Sequence, residues 1–78
     1  MRRKARFNQS IELELEDGTS LQVGPGVCWV SDEDAAGVTL LVERAGSQRV
    51  ARVRSETFLR LLQQHDLVYA ASWWGVRQ

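Results

Sequence analysis

The chain of 78 residues carries one cysteine, one histidine, one proline and one tyrosine. A lone cysteine, Cys28, excludes an internal disulfide framework and suits a reducing compartment. One histidine and one cysteine cannot close a four-ligand zinc site of the Cys/His type. The longest apolar runs span about five residues, far short of the ~20 that a membrane-crossing helix needs. The start Met1-Arg2-Arg3-Lys4-Ala5-Arg6 imitates the basic end of a signal peptide. Asn8-Gln9-Ser10 and a series of glutamates follow it where an apolar stretch would be required. A cytoplasmic location is therefore expected, with no membrane contact. There is no glycine-rich phosphate loop either. Gly24-Pro25-Gly26 lacks the lysine and the spacing, and its proline removes an amide donor.

Charge of one sign is also missing overall. Ten basic side chains balance ten acidic ones, giving a net charge of zero. The distribution is uneven. Residues 2–6 hold four basic side chains, residues 12–34 hold seven acidic and no basic ones, and residues 44–60 hold five arginines against one glutamate. Such segregation suits either partner electrostatics or acidic and basic strands lying side by side. A hydrophobic share of 44% and a charged share of 26% are ordinary for a folded domain, so global disorder is not expected.

What is present in strength is period-two alternation. In Ile11-Glu12-Leu13-Glu14-Leu15-Glu16, three aliphatic side chains fall on one strand face and three glutamates on the other. Asp17-Gly18 follows, a pair that favours a type I′ hairpin turn. Phe7 is in phase with Ile11, so the first strand is expected to begin near it. Residues 19–23 return as the second strand, and Gly24-Pro25-Gly26 turns the chain. Residues 27–30 make a third strand, with Trp29 assigned to the core. Val38-Thr39-Leu40-Leu41-Val42-Glu43 reads as a central strand because it is apolar almost throughout. A Gly46-Ser47 turn leads into a fifth strand over 48–54. Ser55 is expected to cap a helix running to about residue 64, which buries Phe58, Leu61 and Leu62. Residues 67–71 are assigned to a sixth strand.

The resulting expectation is an α+β, mainly β fold. A small antiparallel meander of five to six strands curls into a partly open, SH3-like barrel with one short helix at about 55–64. Residues 1–6 are expected to form a flexible basic arm, and 7–78 a single β-rich domain.

Four groups of residues bear on function. The first is basic. Arg52 and Arg54 share a strand face, and with Arg2, Arg3, Lys4 and Arg6 they would form a phosphate-binding patch. The opposing expectation is that Glu12, Glu14 and Glu16 neutralise the strand arginines, at about 0.2–1 kcal/mol per cross-strand pair. The second is Asp32 to Glu43, which has Asp, Asp, Gly and Glu where a calcium loop has them. Ala36 and Leu40 stand where oxygen ligands are wanted, so a solvated acidic loop is the expectation and no metal site. The third is Tyr69, Trp73 and Trp74. Adjacent tryptophans on an extended segment face opposite ways, so both cannot enter one thin core, and tryptophan is enriched at binding hot spots. The fourth is the Cys28 and His65 pair. A cysteine in an apolar strand is usually an inert thiol, and a histidine after a helix usually caps carbonyls. No catalytic residue, cofactor or small-molecule substrate is expected.

These features point to a non-catalytic interaction module, a regulator by type. It would bind a protein partner, or form a homodimer, through Tyr69, Trp73 and Trp74. The alternative is a regulator that binds nucleic acid through the basic segment and the strand arginines.

Overall fold

Alternating burial divides almost every strand into two faces. The computed structural model describes residues 2–44 and 46–71. Its elements are β1 (Arg3–Phe7), β2 (Ile11–Glu14), β3 (Ser20–Val23), β4 (Gly26–Glu33), β5 (Gly37–Arg44), β6 (Ser47–Arg54), α1 (Ser55–Gln63) and β7 (Leu67–Tyr69). Five strands form one sheet in the order β6-β5-β4-β1-β7, and β2-β3 form a separate hairpin. Every pairing is antiparallel. The fold is thus mainly β with one short helix, as the alternation predicts. No closed barrel is found among the described residues.

One face of the large sheet carries Ala5, Phe7, Cys28, Val30, Leu40, Val42, Ala51 and Val53. These join Leu13, Leu21 and Val23 of the hairpin and Phe58 and Leu61 of the helix in one buried cluster. Hairpin and helix therefore both lie on this inner face. Burying an aliphatic or aromatic side chain such as Phe7 or Leu40 contributes roughly 1.5–3 kcal/mol each. The register is strongly specified, because a slip of one residue would move every one of these side chains to the other face.

Several details differ from the sequence expectation. Residues 3–6 are not an arm but belong to β1, held between β4 and β7. Ala5 and Phe7 are buried there, and these two anchors at the right phase suffice to seat a basic segment as a strand. The break at Asn8-Gln9-Ser10 separates β1 from β2. Asn8 is fastened to the turn after the helix by its amide to Asp66 O at 3.0 Å and its side-chain Nδ2 to His65 O at 2.7 Å.

The β2-β3 connection is not a type I′ turn. Gly18 N donates to Leu15 O at 3.0 Å, and Gly18 alone in that turn has positive φ, at 90°. This is a type I turn followed by a left-handed glycine, the usual three-residue hairpin. Asp17 Oδ1 accepts from Thr19 N and Oγ1, which supports that choice and lowers the Asp17 pKa.

Ser55 does not cap the helix. It is the first helical residue, and Arg54 takes the N-cap position without a side-chain hydrogen bond. The Ser55 hydroxyl instead donates to Ala35 O at 3.3 Å. The helix ends in a Schellman pattern, in which Asp66 N donates to Leu61 O at 2.9 Å and His65 N to Leu62 O at 3.2 Å. His65 takes the left-handed position, at φ 60°, that glycine usually holds.

Candidate protein-contact surface

The outer face of the five-stranded sheet positions the candidate surface. Side chains that alternate with the core point to it: Lys4 and Arg6 on β1, Val27 and Trp29 on β4, Thr39 and Leu41 on β5, Val50 and Arg52 on β6. The register places Lys4 opposite Trp29, Trp29 opposite Leu41, and Leu41 opposite Val50. One row of side chains thus runs across four strands, apolar from Trp29 to the sheet edge. None of the three apolar members belongs to the buried cluster on the other face. Leu41, flanked by the other two, is 7% exposed, whereas Val50 at the edge is 71% exposed. Trp29 is half-buried on this face and is not a core residue. It is one residue out of phase with Cys28 and Val30, and that phase decides its face.

Arg52 sits beside this row and holds three chain segments together. Its guanidinium donates to both carboxylate oxygens of Asp34, at 2.8 and 2.7 Å, and to Thr39 Oγ1 at 2.9 Å. Its Nε lies 3.4 Å from Glu16 Oε2, and its main-chain oxygen accepts from Glu16 N at 2.9 Å. Arg52 therefore links the hairpin turn, the β4-β5 turn and β6. Hydrogen bonds from Arg52, Gly37 N and Ala36 N lower the Asp34 pKa, and the same carboxylate raises that of Arg52. Of the glutamates expected to meet the arginines, Glu16 does so. Glu12 and Glu14 are exposed and pair across β2-β3 with Gln22 and Ser20. Arg54 is exposed, and no ion pair engages it among the described residues.

A second cluster lies at the inner-face end of β1, β4 and β7. An extra residue in β4, between Val30 and Asp32, shifts the register and turns Glu33 to the face that Arg3 and Tyr69 share. Arg3 pairs with Glu33 and donates to the Tyr69 hydroxyl at 3.0 Å. Its guanidinium stands 4.4 Å from the Tyr69 ring centre, a cation–π contact. Phe58 meets the same ring edge-on at 6.3 Å. Burial raises the tyrosine pKa, and the Arg3 charge opposes the shift.

Of the residues singled out in the sequence, Tyr69 and Arg3 are thus brought together, but in internal contacts. Arg2 and Lys4 are exposed, and Arg6 Nε donates to Asn8 Oδ1 at 3.3 Å. Trp73 and Trp74 lie outside the described residues. Cys28 is buried within the sheet, where desolvation pushes its thiol up to about 12. His65 lies exposed in the turn after α1. Among the described residues no three His, Cys, Asp or Glu side chains gather to hold a metal, and no helix is long and apolar enough to cross a membrane. The Asp34 carboxylate, which opens the calcium-loop pattern's second ligand position, is taken by Arg52 and two turn amides.

The Trp29–Leu41–Val50 row was the signal that sequence reasoning missed. Trp29 and Leu41 stand in strands whose apolar runs read as buried on both sides, so no period separates their faces, and Val50 stands alone among the arginines of its strand. The sequence matches no family model, and no curated protein or solved structure matches it.

Proposed function

We propose that this chain is a non-catalytic interaction module that contacts a protein through the outer face of its sheet. The observation that supports this reading is the row Trp29–Leu41–Val50, which neither the helix nor the hairpin covers. Val50 is 71% exposed and Trp29 half-buried, and a partner that covered them would stabilise the domain by mass action. The reading keeps the binding of a protein, or of a second copy, that the aromatic residues suggest. It moves the contact from Tyr69, whose ring and hydroxyl are engaged internally, to the sheet face. Trp73 and Trp74 remain part of the proposal as further contact residues.

The nucleic-acid alternative draws less support. Of the six basic residues it draws on, Arg3 and Arg52 are engaged by carboxylates, while Arg2, Lys4 and Arg54 are exposed. A photo-crosslinking side chain placed at position 50 in the cell of origin tests the proposal. Discrete protein adducts should form from position 50 and not from Glu12, which is exposed on the hairpin. Equal adducts from both positions, or none from either, would overturn it.

A further inference from the structure

The five-stranded sheet has two edges, β7 and β6. They are unequal. β7 is three residues long, so it offers little for another strand to pair with. β6 is eight residues long, carries no proline, and pairs with β5 without a register shift. The direction of its backbone groups follows from one bond. Arg52 O accepts from Glu16 N rather than from β5, so Arg52 presents its main-chain groups outward. In an antiparallel strand every second residue does the same, which turns the amide and carbonyl of Gln48 and Val50 outward too. Glu16 covers the edge at Arg52. At Gln48 and Val50 no backbone hydrogen bond comes from outside among the described residues.

The side chains there describe what would fit. Val50 ends the apolar row of the outer face, so a residue added opposite it would extend that row. Arg49, on the opposite face of the strand, is exposed and has no acidic partner among the described residues. Arg54, further along, is in the same condition. An incoming strand would therefore set an apolar side chain beside Val50 and an acidic one beside Arg49, in alternation. The chain's own remaining residues 72–78 contain Arg77 and no acidic side chain, so charge does not favour them.

We infer that β6 accepts an extended acidic segment of a partner protein, one alternating apolar and acidic residues, by strand addition at Gln48–Val50. This rests on the interaction reading above and names the partner's chemistry. The test uses the full chain, a fluorescein-labelled capped octapeptide of alternating valine and glutamate, and the same peptide with lysine for glutamate. Fluorescence anisotropy should rise saturably with the glutamate peptide, weaken with salt, and stay flat with the lysine peptide. The amide resonances of Gln48 and Val50 should shift.

Arg49→Glu should lower the affinity about tenfold or more and favour the lysine peptide. Val50→Pro removes only an outward donor, a position where an edge strand tolerates proline, and should abolish binding with the circular dichroism unchanged. Binding insensitive to both substitutions, or no binding, would overturn the inference. So would concentration-dependent shifts at Gln48 and Val50 without peptide, which would assign the edge to a second copy. Crosslinks from position 50 together with failed peptide binding would leave the interaction module standing and remove this partner.

Discussion

Replacing Gly37 by alanine should destabilise the domain through a backbone clash. Gly37 opens β5 and faces Arg54 across the β5-β6 ladder. A Cβ built there would lie 2.4 Å from the main-chain oxygen of Val53. That oxygen belongs to a paired strand and cannot swing aside as a flexible side chain would. To reach an ordinary contact the two strands must part locally by about 1 Å. The same residue closes the β4-β5 turn: its amide donates to Asp34 Oδ1 at 3.0 Å and its carbonyl accepts from Asp34 N at 2.9 Å. A shift at Gly37 therefore loosens the turn and the carboxylate that Arg52 holds.

Overpacking that moves backbone costs roughly 1–3 kcal/mol, and the reduced freedom of alanine in the unfolded chain returns about 0.4–1 kcal/mol. At mid-range values the net loss is about 1.3 kcal/mol. For a domain of this size it would lower Tm by about 5–10 °C. Gly24→Ala is the control. Its Cβ would meet only Ser10 Oγ, at 3.9 Å, and its backbone lies outside the left-handed region. It should leave Tm unchanged or raise it slightly. Thermal and urea unfolding followed by circular dichroism decide the matter. A Gly37→Ala variant as stable as the parent, or a Gly24→Ala variant that falls as far, would refute the close-approach argument.

Three further outcomes follow from the same geometry. His65→Gly relieves a left-handed histidine at the helix end and should raise the urea midpoint by the equivalent of about 0.5–1 kcal/mol, provided that the Schellman bonds set the backbone there. Asp34 has a lowered folded pKa, so its contribution to stability is present above its unfolded value of about 3.9 and is lost as pH falls through the folded value. Urea midpoints between about pH 5 and pH 2 should accordingly fall less steeply in Asp34→Asn than in the parent, and parallel slopes would contradict the Arg52 pairing. The Cys28 thiol, buried and pushed up to about 12, should stay unreactive toward a disulfide reagent near pH 8 until the chain unfolds, and fast native-state labelling would show the sheet to be open there.

Strand pattern was legible where one face meets water. Ile11 to Glu14 and Leu21 to Val23 alternate cleanly, and the hairpin they predict is present. The apolar run at Val38 to Val42 also marks β5 as an interior strand, paired on both sides in the meander β4-β5-β6, although the middle of the sheet is β4. Three things were not legible, each because a long-range contact decides it. Arg3 to Phe7 reads as a basic tail because only Ala5 and Phe7 point inward, and their burial depends on β4 and β7 arriving on both sides. Ser55 has the chemistry of a cap, yet the β4-β5 turn offers its hydroxyl a carbonyl, and the helix begins one residue early. The arginine–glutamate pairing was expected strand against strand. Instead the hairpin turn reaches the edge of β6, so Arg52 meets Glu16 and takes its second carboxylate from Asp34.

The same reasoning explains why the candidate surface escaped notice. A row such as Trp29–Leu41–Val50 is assembled across strands, and its members are separated by 12 and 9 residues in the chain. Composition and local period cannot tell an apolar side chain that faces the helix from one on the opposite face of the sheet. Only the register distinguishes them, because it sets Cys28, Val42 and Arg49 in one line and Trp29, Leu41 and Val50 in the next. Helix and hairpin both lie on the inner face, so among the described residues neither of them packs on the second line. An edge strand whose most exposed apolar side chain also has its backbone groups turned to solvent is then the place where this fold is least complete.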